Sequence, residues 1–303
     1  MATNYKCHFC KTCRGEGCIG QLPGMGGVRS NENFKLNVLG WEEVRSKNKE
    51  LVSEFLRKPA EDRIPRICLA PITGAVENIG FETEDSYYSK IVEASHQVGI
   101  GLCIGDGYPD EKLKYGIEAI KNLNKDVEAG VFIKPYPNTR IFERIEWSKS
   151  CATIVGVDID SYNLVTMRNL VKLEKKTAEQ LIEIKNYLKV PFAIKGVFTE
   201  DDMELVKKVR PAVAYISNHG GRIDTRSGST AEFLESHIDE LRKYCDEVWV
   251  DGGIRTPLDV ATALALGADK VLIGRPFVTA LCKGGVKGLC EKVLELSLLQ
   301  YAM

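Results

Sequence analysis

Eight short apolar runs, separated by amphipathic stretches, constrain this chain more than any other feature. They are Ile67–Ala70, Ile100–Cys103, Gly130–Ile133, Thr153–Val157, Pro191–Ile194, Ala212–Ile216, Glu247–Val250 and Lys270–Ile273. Each is four or five residues long and lacks the polar/apolar alternation of a half-exposed strand. A strand that is apolar throughout is buried on both faces, which is the habit of parallel sheet. Between the runs lie helically spaced sets, such as Leu181, Ile184, Lys185 and Leu188, or Leu258, Ala261, Leu264 and Ala265. Strand alternating with helix gives βαβ units. Eight of them favour an α/β fold closed as a (β/α)8 TIM barrel over a six-stranded open sheet.

The 303-residue length suits such a barrel with an extension, and 44% apolar residues supply a large core. Lys plus Arg number 41 against 42 Asp plus Glu. That balance leaves no electrostatic footprint for nucleic acid or an anionic membrane, so an anionic ligand has to be held by a local site. No run is long enough to span a bilayer, and the amino terminus lacks a signal-peptide core. Six of the ten cysteines are scattered along the chain, as small hydrophobes are in a reducing compartment. A cytoplasmic location is the expectation. Residues 67–303 are read as the barrel, and residues 1–66 as a Cys-rich extension packed on it, with a charged helical stretch from Trp41 to Arg57.

Barrel enzymes work at the carboxyl ends of their strands, and phosphate commonly binds after strands seven and eight. Here strand seven runs into Asp251-Gly252-Gly253-Ile254-Arg255 and strand eight into Gly274-Arg275-Pro276. Glycines let backbone N–H groups approach a phosphate, and guanidinium groups bind it by forked hydrogen bonds. Plain turns need no such pair of arginines, so a phosphate-bearing cofactor or substrate is expected. Strand five ends in Lys195-Gly196, placing an ammonium at the mouth, although an ion-pair role suits such a lysine as well. Strand six ends in Ser217-Asn218-His219-Gly220-Gly221-Arg222, with an imidazole near a guanidinium suited to a carboxylate. Strand four ends in Asp158-Ile159-Asp160. Asp158 is read as the carboxylate that orients His219, and Asp160 as a helix cap.

These residues, in this order, resemble the FMN-dependent α-hydroxy acid oxidases and dehydrogenases, the group of glycolate oxidase, lactate oxidase and flavocytochrome b2. The resemblance runs from Pro191 to Gln300 through Ile194–Val197, Ser217–Arg222, Asp251–Arg255, Ala263–Ala268 and Ile273–Pro276, and more loosely through Leu69–Ile72 and Val157-Asp158. It implies that Ala70, Pro71, Ile72 and Thr73 lie along the flavin ring. Lys195 would stabilise the reduced ring, and Ser217, Asp251, Gly252, Gly253, Arg255, Gly274 and Arg275 would complete the FMN site. His219 would take the hydroxyl proton of a small 2-hydroxy acid, supported by Asp158, and Arg222 would hold its carboxylate. Departures are local. Lys134 falls where the family has a cofactor-binding Gln, Tyr136 keeps a catalytic Tyr, and Gly156 replaces a Thr. The resemblance also implies a homo-oligomer, a tetramer; the electron acceptor stays open.

Cys7, Cys10, Cys13 and Cys18 form C-x2-C-x2-C-x4-C. Four thiols so close can wrap a zinc ion or a [4Fe–4S] cluster, or remain free. A cluster would offer electrons an exit from reduced FMN. Two rival functions remain at this point: an isomerase resembling type 2 isopentenyl-diphosphate isomerase, and a non-catalytic flavin or metal redox sensor.

Overall fold

The computed structural model describes residues 32–59, 61–76, 81–123, 127, 129–163, 170–223 and 225–297. Cys7, Cys10, Cys13 and Cys18 lie outside them.

Each apolar run forms a strand: β1 Ile67–Leu69, β2 Leu102–Gly105, β3 Ala129–Ile133, β4 Ile154–Asp158, β5 Phe192–Val197, β6 Val213–Ile216, β7 Glu247–Val250 and β8 Lys270–Ile273. All pair in parallel in the order β1-β8-β7-β6-β5-β4-β3-β2. A bridge between Cys68 and Gly101 closes the β1–β2 seam, with Leu69 N donating to Gly101 O at 2.9 Å. A Cβ at Gly101 would lie 2.5 Å from Cys68 Sγ, so glycine lets the seam close without displacing that side chain. The chain is a (β/α)8 barrel.

Ten helices are described: α1 Glu32–Lys47, α2 Lys49–Leu56, α3 Glu84–Val98, α4 Glu111–Lys121, α5 Asn138–Ser148, α6 Ala178–Tyr187, α7 Glu200–Val209, α8 Thr230–Leu241, α9 Pro257–Ala265 and α10 Arg275–Leu296. Their starts are chemically marked. Reciprocal capping boxes open α6 (Thr177/Gln180), α7 (Thr199/Asp202) and α9 (Thr256/Asp259), and the Ser229 hydroxyl caps α8. Satisfying the first backbone donors in this way keeps the loops above the strands short and defined. The helical stretch expected from Trp41 starts earlier, at Glu32, because α1 buries Asn33, Phe34, Asn37, Gly40, Trp41 and Val44 against the barrel.

Successive strand residues face opposite sides. Cys68, Cys103, Phe132, Ile154, Ala193, Val213, Tyr215, Trp249 and Leu272 form an apolar cluster separate from the main core of strands and helices. This cluster is the plug of the barrel, centred on Phe132 and Tyr215, whose rings meet edge to face at 5.4 Å. Gly156 belongs to the plug, since its Cβ would lie 2.5 Å from the Phe132 ring. That explains a glycine in β4, and overpacking of this kind costs about 1–3 kcal/mol. Gly156→Ala is expected to lower the denaturant midpoint by an equivalent amount with an unchanged m-value. An unchanged midpoint would show that Phe132 can move aside.

Two residues further along each strand lies the next inward layer: Ala70, Gly105, Lys134, Asp158, Lys195, Ser217, Asp251 and Gly274. The period of the strands alone brings seven of the expected site residues to one ring above the plug.

Candidate active site

The centre of this ring is Asp158, buried, accepting Lys195 Nζ on Oδ1 at 2.9 Å and Lys134 Nζ on Oδ2 at 2.5 Å. Beside it, Asp251 Oδ2 accepts the Tyr215 hydroxyl at 2.8 Å. Lys195 Nζ also sits over the Tyr215 ring, 5.3 Å from its centroid. The neighbouring cations hold the Asp158 carboxyl well below the usual range, outweighing burial. Lys195 stays charged although buried, because Asp158 foremost and then Asp160 and Asp251 offset its desolvation.

His219 follows β6 in a tight turn with φ +56°, and Gly220 and Gly221 continue at +65° and +88°. A non-glycine residue in the left-handed region is strained, and such strain collects at functional sites. The turn is held from several sides. Asn218 Oδ1 accepts Gly221 N at 2.9 Å, and Ser217 Oγ accepts His219 N at 3.2 Å. Arg275, at the start of α10, donates to Gly220 O at 3.2 Å.

The carboxylate nearest the imidazole is not the expected one. His219 Nδ1 lies 3.2 Å from Asp160 Oδ1 and 3.7 Å from Asp158 Oδ1. Asp160 sits in a short 3-10 turn, Ile159–Asn163, not at the N-cap of an α-helix. It reaches the ring because β5 bulges after Lys195, where Gly196 has φ +99°. A Cβ at Gly196 would lie 2.7 Å from Asp160 Cγ. The expectation that Asp160 caps a helix is corrected, and Asp158 stays beside His219 as the anion that attracts it most.

Tyr136 is also placed differently from a mouth residue. It is fully buried, its hydroxyl points to Gly107 O at 3.4 Å, and its ring lies under Arg144 (4.2 Å) and Arg140 (4.7 Å). Arg144 is paired in turn with Asp106 Oδ2 at 2.9 Å and with Asp110, which ties the loop after β2 to α5. Lys134, expected at the cofactor, has its ammonium on Asp158.

On the far side of the ring, Gly252 and Gly253 have φ +95° and +77° above β7. The Arg255 and Arg275 guanidinium groups approach the Phe34 ring of α1, at 5.9 and 4.5 Å. Burial lowers the Arg255 pKa to about 10, so this cation gains from an anion beside it. Asp251 Oδ1 is buried without a hydrogen-bond donor. Ala70–Thr73 form a shelf on the remaining side. Glu84 accepts Gly74 N at 2.5 Å and Thr73 Oγ1 at 3.2 Å, while Tyr88 donates to Ile72 O at 3.2 Å.

Sequence reasoning missed the contribution of α1. Asn37 exchanges side-chain hydrogen bonds with Asn218 at 2.7 and 3.0 Å and accepts Thr230 N at 3.0 Å. Trp41 Nε1 donates to Gly252 O at 2.8 Å. The helix thus holds both the His219 turn and the glycine pair. A signal was present in the i, i+4, i+8 spacing of Asn33, Asn37 and Trp41.

Burial chiefly, with the Lys134, Lys195 and Arg222 charges, outweighs the attraction of Asp158 and holds the His219 pKa well below its ordinary value. The imidazole is therefore neutral near pH 7. An unfolded-state histidine titrates near about 6.5, so stability from His219 is full above that pH and is lost as pH falls below it. His219→Asn is expected to flatten the stability loss between about pH 6.5 and 5, read by chemical denaturation across that range. A slope identical to the parent's would contradict a neutral buried imidazole.

Taken together, the fold and the mouth define a (β/α)8 barrel whose mouth sets Arg255, Arg275 and a glycine pair near a largely buried histidine. Residues 119–298, more than half of the chain, match the FMN-dependent dehydrogenase family, and the chain belongs to that family. It is 41% identical over 113 residues to an L-lactate dehydrogenase of Vibrio parahaemolyticus, covering 37% of this chain and 29% of that protein. It is 40% identical over 111 residues to 2-hydroxyacid oxidase 2 of Rattus norvegicus, covering 36% and 31%. The matches span under a third of the length of these relatives. The barrel is similar to that of a mandelate oxidase crystallised with benzoyl-formic acid, with a TM-score of 0.59 and 22% identity over 77% of this chain and 71% of that one. A lactate oxidase of Pediococcus acidilactici gives a TM-score of 0.62 and 21% identity over 78% and 71%.

Proposed function

We propose that this chain binds FMN at the barrel mouth and oxidises a small 2-hydroxy acid to the 2-keto acid, with His219 as base. The observation that carries the reading is a largely buried imidazole whose Nδ1 lies 3.2 Å from a carboxyl group, beside the ring of Lys195, Asp158 and Lys134.

The residues fit the cofactor. The glycine pair, Arg255 and Arg275 supply phosphate donors, and the unmet acceptor Asp251 Oδ1 suits a polyol hydroxyl. Ala70–Thr73 after β1 and Lys195 at the end of β5 would hold the ring between them. Bound FMN would supply the two-electron acceptor for the substrate's Cα hydride. With Nδ1 engaged, His219 presents Nε2 to take the hydroxyl proton. Arg222, two residues beyond Gly220, is close enough for its charge to act on His219 and would hold the carboxylate. The purified protein is expected to carry FMN at about one per chain and to form 2-keto acid from a 2-hydroxy acid when an artificial electron acceptor is present. Bound FMN with no keto acid from any of a broad panel would remove the activity and keep the cofactor.

For Cys7, Cys10, Cys13 and Cys18 the proposal is a bound zinc ion or iron–sulfur cluster. Metal and acid-labile sulfide analysis of the protein tests it. Iron with sulfide, or zinc alone, selects between the two, and neither metal leaves free thiols. A cytoplasmic location and a homo-oligomeric state are proposed on the same footing.

A further inference from the structure

Each oxygen of Asp158 already accepts a lysine, Oδ2 from Lys134 and Oδ1 from Lys195. His219 Nδ1 lies 3.7 Å from Oδ1, too far for a hydrogen bond. Asp160 is nearer to Nδ1, at 3.2 Å, and its side chain is 5% exposed. Its other oxygen, Oδ2, is buried and receives no hydrogen bond. The Gly196 bulge gives it the room, as a Cβ there would lie 2.9 Å from the Asp160 backbone nitrogen. Lys134, Lys195 and Arg222 set three positive charges near His219, where Asp158 is the anion that attracts it most. Proton uptake by His219 would add a fourth, and a second carboxyl group at this point offsets it.

We propose that Asp160 is the positioning residue for His219, and that Lys134 has converted Asp158 into a counter-ion shared between two lysines. The inference rests on the reading of His219 as the base. Burial first, and the charge of Asp158 next, push the Asp160 carboxyl well above its ordinary range. Placed on Nδ1, this carboxyl group is the one that meets the charge His219 gains when Nε2 takes a proton.

The test is a set of variants in the full-length protein, read in two ways. Asp160→Asn is expected to slow flavin reduction by a 2-hydroxy acid about 10²-fold, the lower end of what general base catalysis contributes. Lys134→Gln releases Asp158 from one of its two lysines and lets its carboxylate turn toward the imidazole, so the double variant Lys134→Gln/Asp160→Asn is expected to recover at least about tenfold of that loss. A merely structural Asp160 would show no such recovery. The second readout needs no substrate: 15N-histidine spectra, with four histidines in the chain and His219 assigned by its loss in His219→Asn. The hydrogen-bond signature of Nδ1 is expected to weaken in Asp160→Asn and to persist in Asp158→Asn, where the resonance moves only with the lost charge. That reciprocal variant decides the question if Asp160→Asn does not fold. An Nδ1 signal that follows Asp158 instead of Asp160, or a double variant no faster than Asp160→Asn, overturns the assignment. If no 2-hydroxy acid reduces the parent's flavin, the proposed activity fails while the spectra still settle which aspartate holds the imidazole.

Discussion

Replacing His219 with asparagine is expected to leave FMN bound and to slow substrate-driven flavin reduction by about 10²–10⁴-fold, the range of general acid–base catalysis. Asparagine tolerates the left-handed conformation that His219 adopts at φ +56°, so the turn survives and the loss is chemical. The surrounding contacts do not depend on the ring. Asn218 Oδ1 still caps Gly221 N, and Ser217 Oγ still accepts the backbone nitrogen of residue 219. Stopped-flow absorbance under anaerobic conditions reads the rate directly. Reduction at the parent's rate would remove His219 from the chemistry and leave it a structural turn residue.

Arg275→Met is expected to act on the cofactor instead. A hydrogen bond to a charged group is worth about 1.5–3 kcal/mol, which corresponds to roughly 10- to 150-fold in dissociation constant. Methionine keeps apolar bulk against Phe34, whose ring lies 4.5 Å from the Arg275 guanidinium carbon. The control is riboflavin, which lacks the phosphate. Its affinity should change little, so the variant narrows the difference between FMN and riboflavin. Equal weakening of both would place the phosphate elsewhere and make Arg275 a brace for Gly220 O.

The barrel was legible because buried parallel strands carry uninterrupted apolar runs, and the runs at Glu247–Val250 and Lys270–Ile273 coincide with β7 and β8. The mouth was legible for a related reason. Once the plug residues are known, a period of two places Lys195, Ser217, Asp251 and Gly274 in the next ring. What escaped depends on geometry that spacing does not carry. Asp158 and Asp160 share one inward direction along an extended strand, but β4 ends at Asp158 and a 3-10 turn redirects Asp160 toward the Gly196 bulge. Tyr136 stands two residues beyond Lys134, yet the Arg144 guanidinium, anchored on Asp106, covers its ring. In α1, the partners of Asn33 and Asn37 lie 190 and 181 positions away in sequence, at Ile223 and Asn218, so local spacing carries no mark of them.

The most direct test of the account is an anaerobic absorbance titration of the FMN-loaded protein with a panel of 2-hydroxy acids. The expected result is stoichiometric bleaching of the flavin band by at least one member, with one keto acid formed per flavin reduced. A flavin spectrum that no 2-hydroxy acid changes, in protein that retains FMN, would contradict it. The site would then hold the cofactor for some other purpose.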